Sequence, residues 1–374
     1  MGKIAIISVL TNDTINYGNR LQAYSLNRFV TNTFNERTDS LILNFRYRKV
    51  LNYSFFAILR KLFLKLFLKN GRNPESGFFE VRLNYCRGFT KKIETKFIAR
   101  LCEIKKCDYT SIIVGSDVIW AQVDGVVDKL RFLDFKLKGP FKKIAYAPSF
   151  GKNWIPECNK KYIKNCLDDF EAISVREKSS IELLKSIGVE NVAHVCDPTL
   201  LLTAEEWSSV AEPVEEVTEK YIFVYLLGKD AEQRTAITEL AKKHGLKIAT
   251  IPHADNIYNL VDNDFGDYRL MDASPENWVW LIKNAEYVIT DSFHGSVFST
   301  IFSKKFIVTK RHYEQDINMR MTDFLDTIDE QNKFIDITKV NSLDEFVWDY
   351  EKIHKTTDEF IAKSKEYLKN ALTE

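Results

Sequence analysis

The chain has 374 residues, 45% hydrophobic and 28% charged, enough for a large core and, at roughly 100–200 residues per domain, for two domains. A formal net charge of +1, with no zinc-finger spacing and no Gly-rich Walker loop, argues against a nucleic-acid partner. Six scattered cysteines without a CxxC pair and the lack of a signal-peptide pattern lead to the expectation of free thiols in a reducing cytosol, and no apolar run reaches the roughly 20 residues of a spanning helix.

Lys3 to Leu10 is a near-continuous apolar run, the pattern of a fully covered parallel strand. A polar loop follows, then an amphipathic helix over Asn19 to Val30 that offers Leu21, Tyr24, Leu26 and Phe29 for burial. The connecting Asn16-Tyr17-Gly18-Asn19 has the small and amide residues that let backbone approach a ligand; an ordinary turn and helix cap fits them equally. Leu41 to Phe45 reads as the second strand. In Ser54 to Lys69, Lys61, Lys65 and Lys69 share one helical face opposite a broad apolar one. That pattern suits either contact with a membrane interface or a core-packing helix with snorkelling lysines. Further helix is expected over 78–106.

Three strands then end in small polar or charged residues: 111–117 in Gly115, Ser116 and Asp117, 144–151 in Pro148, Ser149 and Gly151, and 172–177 in Arg176 and Glu177. Parallel strands would bring these ends to one sheet edge. Arg176 offers a planar fork for a carboxylate or phosphate, or forms an ion pair at the surface. Asp117 either carries chemistry or caps a turn. The run 193–198 closes the first half, and 199–217 reads as a hinge. Tyr221 to Gly228 restarts the alternation, followed by a helix (231–244) and a strand (247–252). The stretch 258–272 looks acidic and loop-like. Ser274-Pro275 is a strong helix start.

Asn284 to Lys310 is the most telling stretch. A β-branched strand over Tyr287 to Thr290, a turn at Asp291-Ser292-Phe293, a helix over Gly295 to Phe302 and a strand over Phe306 to Thr309 make a parallel crossover. His294 then sits where a strand ends and a helix begins, a place suited to an anion or to proton transfer. Capping the helix or packing on Phe293 are its plainer fates. Arg320 falls in a short helix (318–325), and the charged tail from Ser342 is helical. The fold class is therefore α/β, two Rossmann-like domains with parallel sheets facing across a cleft. The domains are 1–204 and 205–341, with the tail of about 342–374 returning to the first.

Across most of the chain the segments Asn16-Tyr17-Gly18 with Leu21-Gln22-Ala23-Tyr24, Val114-Gly115-Ser116-Asp117 with Ile119-Trp120, Ser149-Phe150-Gly151, Ser174-Val175-Arg176-Glu177, Asp197-Pro198-Thr199 and Thr290-Asp291-Ser292-Phe293-His294-Gly295 occur in order. In this the chain resembles the polysaccharide pyruvyl transferase family, whose fold is similar to that of GT-B glycosyltransferases. The resemblance implies transfer of the enolpyruvyl group of phosphoenolpyruvate onto two sugar hydroxyls, with a histidine at the position of His294 and an arginine at that of Arg176 in the donor site. Many members carry Ser-Arg-Leu before this histidine. Here Ser292 holds the arginine's slot, so either another cation, Arg320 being the candidate, meets the donor, or the donor is held differently.

The expected donor site is Arg176, Ser292, His294, Gly295 and Arg320. His294 is the expected acid, and Asp117 the base ahead of Asp291. Asn16, Gly18, Asn19, Gln22, Ser116 and Ser149 are the expected acceptor side. No metal and no cofactor is called for; phosphoenolpyruvate is a co-substrate. A lipid-linked oligosaccharide of a capsule or exopolysaccharide is the expected acceptor, met in the cytoplasm at the inner membrane face with 54–69 as the contact. The rivals are a GT-B glycosyltransferase using a sugar nucleotide and a non-catalytic saccharide- or lipid-binding protein.

Overall fold

Both faces of the first strand are buried, Ile4 and Ile6 in one apolar cluster and Ala5 and Ile7 in another, so helices must cover the sheet on both sides. The computed structural model of the protein describes residues 3–34, 37–43, 76–98, 101–122, 125–253, 260–311 and 315–373; Ser54 to Lys69 lies outside them. The first half runs β1 (Lys3–Ile7), α1 (Tyr17–Phe34), β2 (Thr38–Leu43), α2 (Ser76–Thr90), β3 (Thr95–Ile98), α3 (Leu101–Lys105), β4 (Tyr109–Val114), β5 (Lys142–Ala145), α4 (Glu157–Leu167), β6 (Ala172–Val175), α5 (Ser179–Lys185) and β7 (Val192–His194). Its sheet has the order β3-β2-β1-β4-β5-β6-β7, and every pairing is parallel.

After α6 (Ala204–Ser208) the second half runs β8 (Tyr221–Tyr225), α7 (Ala231–Lys243), β9 (Lys247–Thr250), β10 (Tyr268–Arg269), α8 (Pro275–Asn284), β11 (Tyr287–Thr290), α9 (Phe293–Ile301), β12 (Lys305–Thr309), α10 (Gln315–Thr327), β13 (Phe334–Ile335) and α11 (Tyr350–Thr373). The order is β10-β9-β8-β11-β12-β13, again parallel throughout. Strand order reverses between β1 and β4 in one sheet and between β8 and β11 in the other. In open α/β sheets, ligands bind at such reversals, beyond the strands' carboxyl ends. Ile7 pairs with Val114 and Thr290 with Tyr225, so each reversal launches two loops side by side.

One apolar cluster spans both halves. Its spine is aromatic: Tyr24 lies 5.7 Å from Trp207, Trp207 4.8 Å from Phe298, Phe298 5.1 Å from Trp278, and Trp278 6.5 Å from Tyr17. Polar contacts clamp the rim of the join. Arg82 on α2 donates to the carbonyls of Met271, Pro252 and Leu270 at 2.5, 2.7 and 3.2 Å. Tyr17 donates its hydroxyl to Ala273 O at 2.5 Å, and Ser179 Oγ donates to Asp323 of α10 at 2.6 Å. Helix α11 crosses back to the first sheet, where Ser364 Oγ accepts the Cys196 N–H at 2.8 Å and Tyr367 donates to Ala145 O at 3.1 Å.

Three segments differ from expectation. The stretch 78–106 is not one helix but α2, the edge strand β3 and the short α3. Pairing with β2 overrides a pattern in which Phe97 points to solvent, 56% exposed. Within 258–272 a two-residue strand, β10, pairs with β9. The expected hinge holds α6, whose Thr203 and Glu206 form a reciprocal capping box.

Candidate active site

The loop from β11 to α9 is held by its own side chains. Thr290 Oγ1 donates to Tyr225 O at 2.7 Å and accepts the Ser292 N–H at 3.0 Å. Ser292 is the N-cap of α9, its Oγ accepting the Gly295 N–H at 3.4 Å. Asp291 accepts the N–H groups of Leu227 and Gly228, both at 2.7 Å, and pairs with Arg311 Nε at 3.1 Å. Arg311 also donates from Nη2 to Asp291 O at 2.9 Å. The loops after β8, β11 and β12 are thus tied into one unit.

That unit sets His294 in the first turn of α9, facing the first half. The residue is 8% exposed. A Cβ added to Gly18 would lie 2.2 Å from His294 Nδ1, 2.6 Å from Cε1 and 2.8 Å from Cγ. The small rise between these distances puts the added atom over the face of the ring, so Gly18 packs on that face, nearest to Nδ1. His294 Nε2 lies 3.7 Å from Asp197 Oδ2. That is ion-pair range and too long for a hydrogen bond, and Nε2 has no hydrogen-bond partner.

Asp197, 2% exposed, is the hub beneath the ring. Its Oδ1 accepts from Thr199 N at 3.0 Å and from Thr199 Oγ1 at 2.8 Å, and its Oδ2 from Arg176 Nη1 at 3.1 Å and Ser116 Oγ at 3.4 Å. Burial pushes its pKa up, but the charges of His294 and Arg176 and the Thr199 N–H outweigh that and hold the carboxyl below its usual range. Arg176 meets two further carboxylates, Glu177 at 2.8 Å and Asp117 at 3.4 Å. Burial works against its charge, but Glu177, Asp117 and Asp197 raise its pKa above the ordinary arginine value. The Arg176 guanidinium carbon lies 4.1 Å from the centre of the Phe293 ring.

A cavity of about 1000 Å³ opens in front of this cluster, between the two sheets. Asn16, Gly18, Asn19 and Asp117 line it from the first half, and Lys229, His253, Ser292, His294, Lys310, Arg311 and Arg320 from the second. The cations lie on one side: apart from His294 they come from the loops after β8, β9 and β12 and from α10. Among the described residues the buried Arg320 Nε has no hydrogen-bond partner. Burial, and then the nearby charge of Arg176, lower its pKa.

Of the residues expected at the site, Asn16, Gly18, Asn19, Asp117, Ser292, His294 and Arg320 do line this cavity. Asn16 also accepts the Asn19 N–H at 3.1 Å, a capping contact at the start of α1. Five do not reach the wall. Arg176 is not a surface ion pair and does not line the cavity; it is 5% exposed and enclosed by three carboxylates and Phe293. The Gly295 N–H expected to meet an anion is taken by Ser292. Gln22, Ser116 and Ser149 are fully buried under the floor. Gln22 bridges Asn19 O and Ser116 N at 2.9 and 3.3 Å, and Ser149 Oγ accepts the Gly151 N–H at 3.0 Å. Asp291, the second-choice base, has both carboxylate oxygens occupied.

Sequence reasoning quotes Asp197 only as part of a family segment, without a role, and passes over Lys229, His253, Lys310 and Arg311. The rule that finds Asp117 and Arg176 would find them too, since all follow the carboxyl ends of parallel strands.

The sequence pattern of the family described as Polysaccharide pyruvyl transferase matches residues 16–313. No curated protein matches the chain. Among solved structures, S. aureus MnaA, determined with UDP, superposes with a TM-score of 0.51 at 10% identity, over 98% of this chain and 91% of that one. The Methanocaldococcus jannaschii UDP-GlcNAc 2-epimerase, in complex with UDP-GlcNAc and UDP, superposes with a TM-score of 0.50 at 15% identity, over 99% of each chain. At such identities the likeness is one of fold, a GT-B-like pair of facing parallel sheets. Because the family pattern takes in both halves and the Gly18, Asp117, Arg176, Asp197 and His294 cluster between them, the chain belongs to the polysaccharide pyruvyl transferase family, transferases of pyruvyl groups in polysaccharide biosynthesis.

Proposed function

We propose that the protein moves the enolpyruvyl carbons of phosphoenolpyruvate onto two hydroxyls of a hexose, forming a pyruvate ketal and releasing phosphate. The observation that carries this reading is a buried imidazole, 3.7 Å from the Asp197 carboxylate, in the wall of a cavity that Arg320, Arg311, Lys310 and Lys229 also line. Phosphoenolpyruvate carries a carboxylate and a phosphate. Arg320 and Arg311 stand in for the arginine that many relatives carry at the position of Ser292, and planar guanidinium groups suit both anions.

The chemistry starts when His294 gives a proton to the methylene carbon of the donor. The double bond opens, and a sugar hydroxyl adds to the neighbouring carbon. Asp117, on the first-half side of the cavity, takes that hydroxyl's proton. The second hydroxyl then displaces phosphate, and its proton leaves with the phosphate. General acid–base catalysis of this kind contributes roughly 10²–10⁴-fold. A 1000 Å³ cavity has room for the three-carbon donor and a saccharide together. No metal enters these steps.

The acceptor class we favour is a lipid-linked oligosaccharide of a capsule or exopolysaccharide, met at the inner face of the membrane. The basic amphipathic pattern of Ser54 to Lys69 supports this. Among the described residues no helix is long and apolar enough to cross a membrane. The test is incubation of the purified protein with phosphoenolpyruvate and a panel of galactosides and mannosides. Phosphate release matched by a ketal on the sugar supports the reading; turnover of a sugar nucleotide instead overturns it.

A further inference from the structure

We infer that Asp197 is the positioning residue for His294, keeping a proton on Nε2 so that Nδ1 is the nitrogen that exchanges with substrate. The inference rests on His294 being the proton donor. The geometry comes first. Asp197 Oδ2 faces Nε2 at 3.7 Å, and Nε2 is buried with no other partner. Gly18 packs on the face of the ring, and His294 lines the cavity. Asp197 cannot swing away, because Thr199 holds one of its oxygens twice while Arg176 and Ser116 hold the other.

Charges of both signs surround the ring. Behind Asp197 lies Arg176, with Glu177 and Asp117 on its far sides. One guanidinium among three carboxylates has a formal charge of −2. From α10, Arg320 adds +1, and Asp291, three residues before His294, is matched by Arg311. The contact that matters to the ring is therefore its nearest carboxylate, Asp197, and not the sum of charges around the cavity, to which Lys229 and Lys310 add two positive charges and Asp230 one negative. Against the effect of burial, the nearby His294 and Arg176 hold the Asp197 carboxyl below its usual range. Arg176 thus acts two steps from substrate, by fixing Asp197, and not by touching the donor.

A second-half histidine therefore needs first-half residues. Asp197 follows β7 and Gly18 opens α1, whereas His294 belongs to α9. The acid is competent only when the two halves are seated together.

The test is nitrogen-15 and carbon-13 NMR of the full chain labelled at histidine. The ring signals of His294 are assigned, among six histidines, by their loss in His294→Gln. In the unsubstituted protein the neutral ring carries its proton on Nε2, and in Asp197→Asn the titration midpoint of the ring falls by about one unit or more. Asparagine keeps the oxygen that caps Thr199, and the tautomer measurement needs no variant at all. A neutral ring protonated on Nδ1, or a midpoint unmoved in a folded Asp197→Asn, overturns the inference. Turnover adds a separate reading: Asp197→Asn lowers kcat at neutral pH and moves the alkaline limb of its profile to lower pH, while KM for phosphoenolpyruvate holds. A loss confined to KM contradicts the positioning role. An unsubstituted protein that ignores phosphoenolpyruvate overturns the proposed function, while the ring's tautomer and midpoint still decide this inference.

Discussion

Gly18 and His294 meet across the cleft, the glycine against the face of the imidazole, and a single added methyl group would lie 2.2 Å from Nδ1. Gly18 is the second residue of α1, where glycine costs less than it does in the middle of a helix. Overpacking a tight contact costs about 1–3 kcal/mol, so the clash should win. Gly18→Ala is expected to destabilise the protein by about 1–2 kcal/mol in urea unfolding and to lower turnover sharply. Removing the ring should relieve the strain: the double variant with His294→Ala should unfold no earlier than His294→Ala alone. A penalty that persists in the double variant would mean that the glycine matters for another reason.

Asp291 is the knot of the second-half loops. Both its oxygens accept backbone N–H groups at 2.7 Å, and Arg311 pairs with it from the loop after β12. Removing one partner of a buried ion pair typically costs about 3–5 kcal/mol. Asp291→Ala should lose stability on that scale, and Asp291→Asn less, because one N–H contact survives. Guanidinium unfolding at neutral pH reads the difference. Equal, small losses in the two variants would show that the loops are held elsewhere.

Arg82 reaches three carbonyls of the second half from a helix of the first. The fork geometry is what a lysine lacks. Arg82→Lys should therefore recover little of the stability lost in Arg82→Ala, where we expect a loss of about 2–4 kcal/mol for a buried charged donor with several acceptors. Full rescue by lysine in thermal unfolding would rule out this reading of the join.

The pH dependence of stability has a definite sign at Asp197. Its folded pKa lies below the unfolded value of about 3.9, so its contribution is fully present above that value and is lost as pH falls through the folded pKa. The difference in unfolding free energy between the unsubstituted protein and Asp197→Asn should be near its full size at about pH 5, at roughly one to a few kcal/mol as for other paired carboxylates, and should shrink below about pH 4. Denaturant titrations at a series of pH values check this. A gap that widens toward acid would reverse the assignment.

Much of the fold and part of the site are legible in the sequence, for identifiable reasons. The strand over Tyr287–Thr290 can be read with its ends correct because a β-branched run is bounded by turn residues on one side and a well-capped helix on the other. His294, Asp117 and Asn16 can be found because parallel strands deliver their carboxyl ends to one edge. The same logic places Arg176 at that edge but cannot tell that three carboxylates and Phe293 enclose it. Enclosure depends on tertiary partners drawn from the ends of β4, β6 and β7 and from α9, which no local pattern reveals. Asp197 is legible as part of the Asp197-Pro198-Thr199 segment but not in its role: only the fold shows that it faces a histidine from the other half. The edge strand β3 escapes notice because its pairing with β2, not its own alternation, makes it a strand.

Turnover of phosphoenolpyruvate in the cleft, with His294 as the acid, is the point on which the proposed chemistry stands. The most direct measurement follows phosphate release and the methyl signal of the ketal together, in protein given phosphoenolpyruvate and hexoside acceptors, beside folded His294→Ala. Equal amounts of phosphate and ketal are expected from the unsubstituted protein, with a loss of roughly 10²-fold or more in the variant. Ketal formation undiminished in His294→Ala would contradict it.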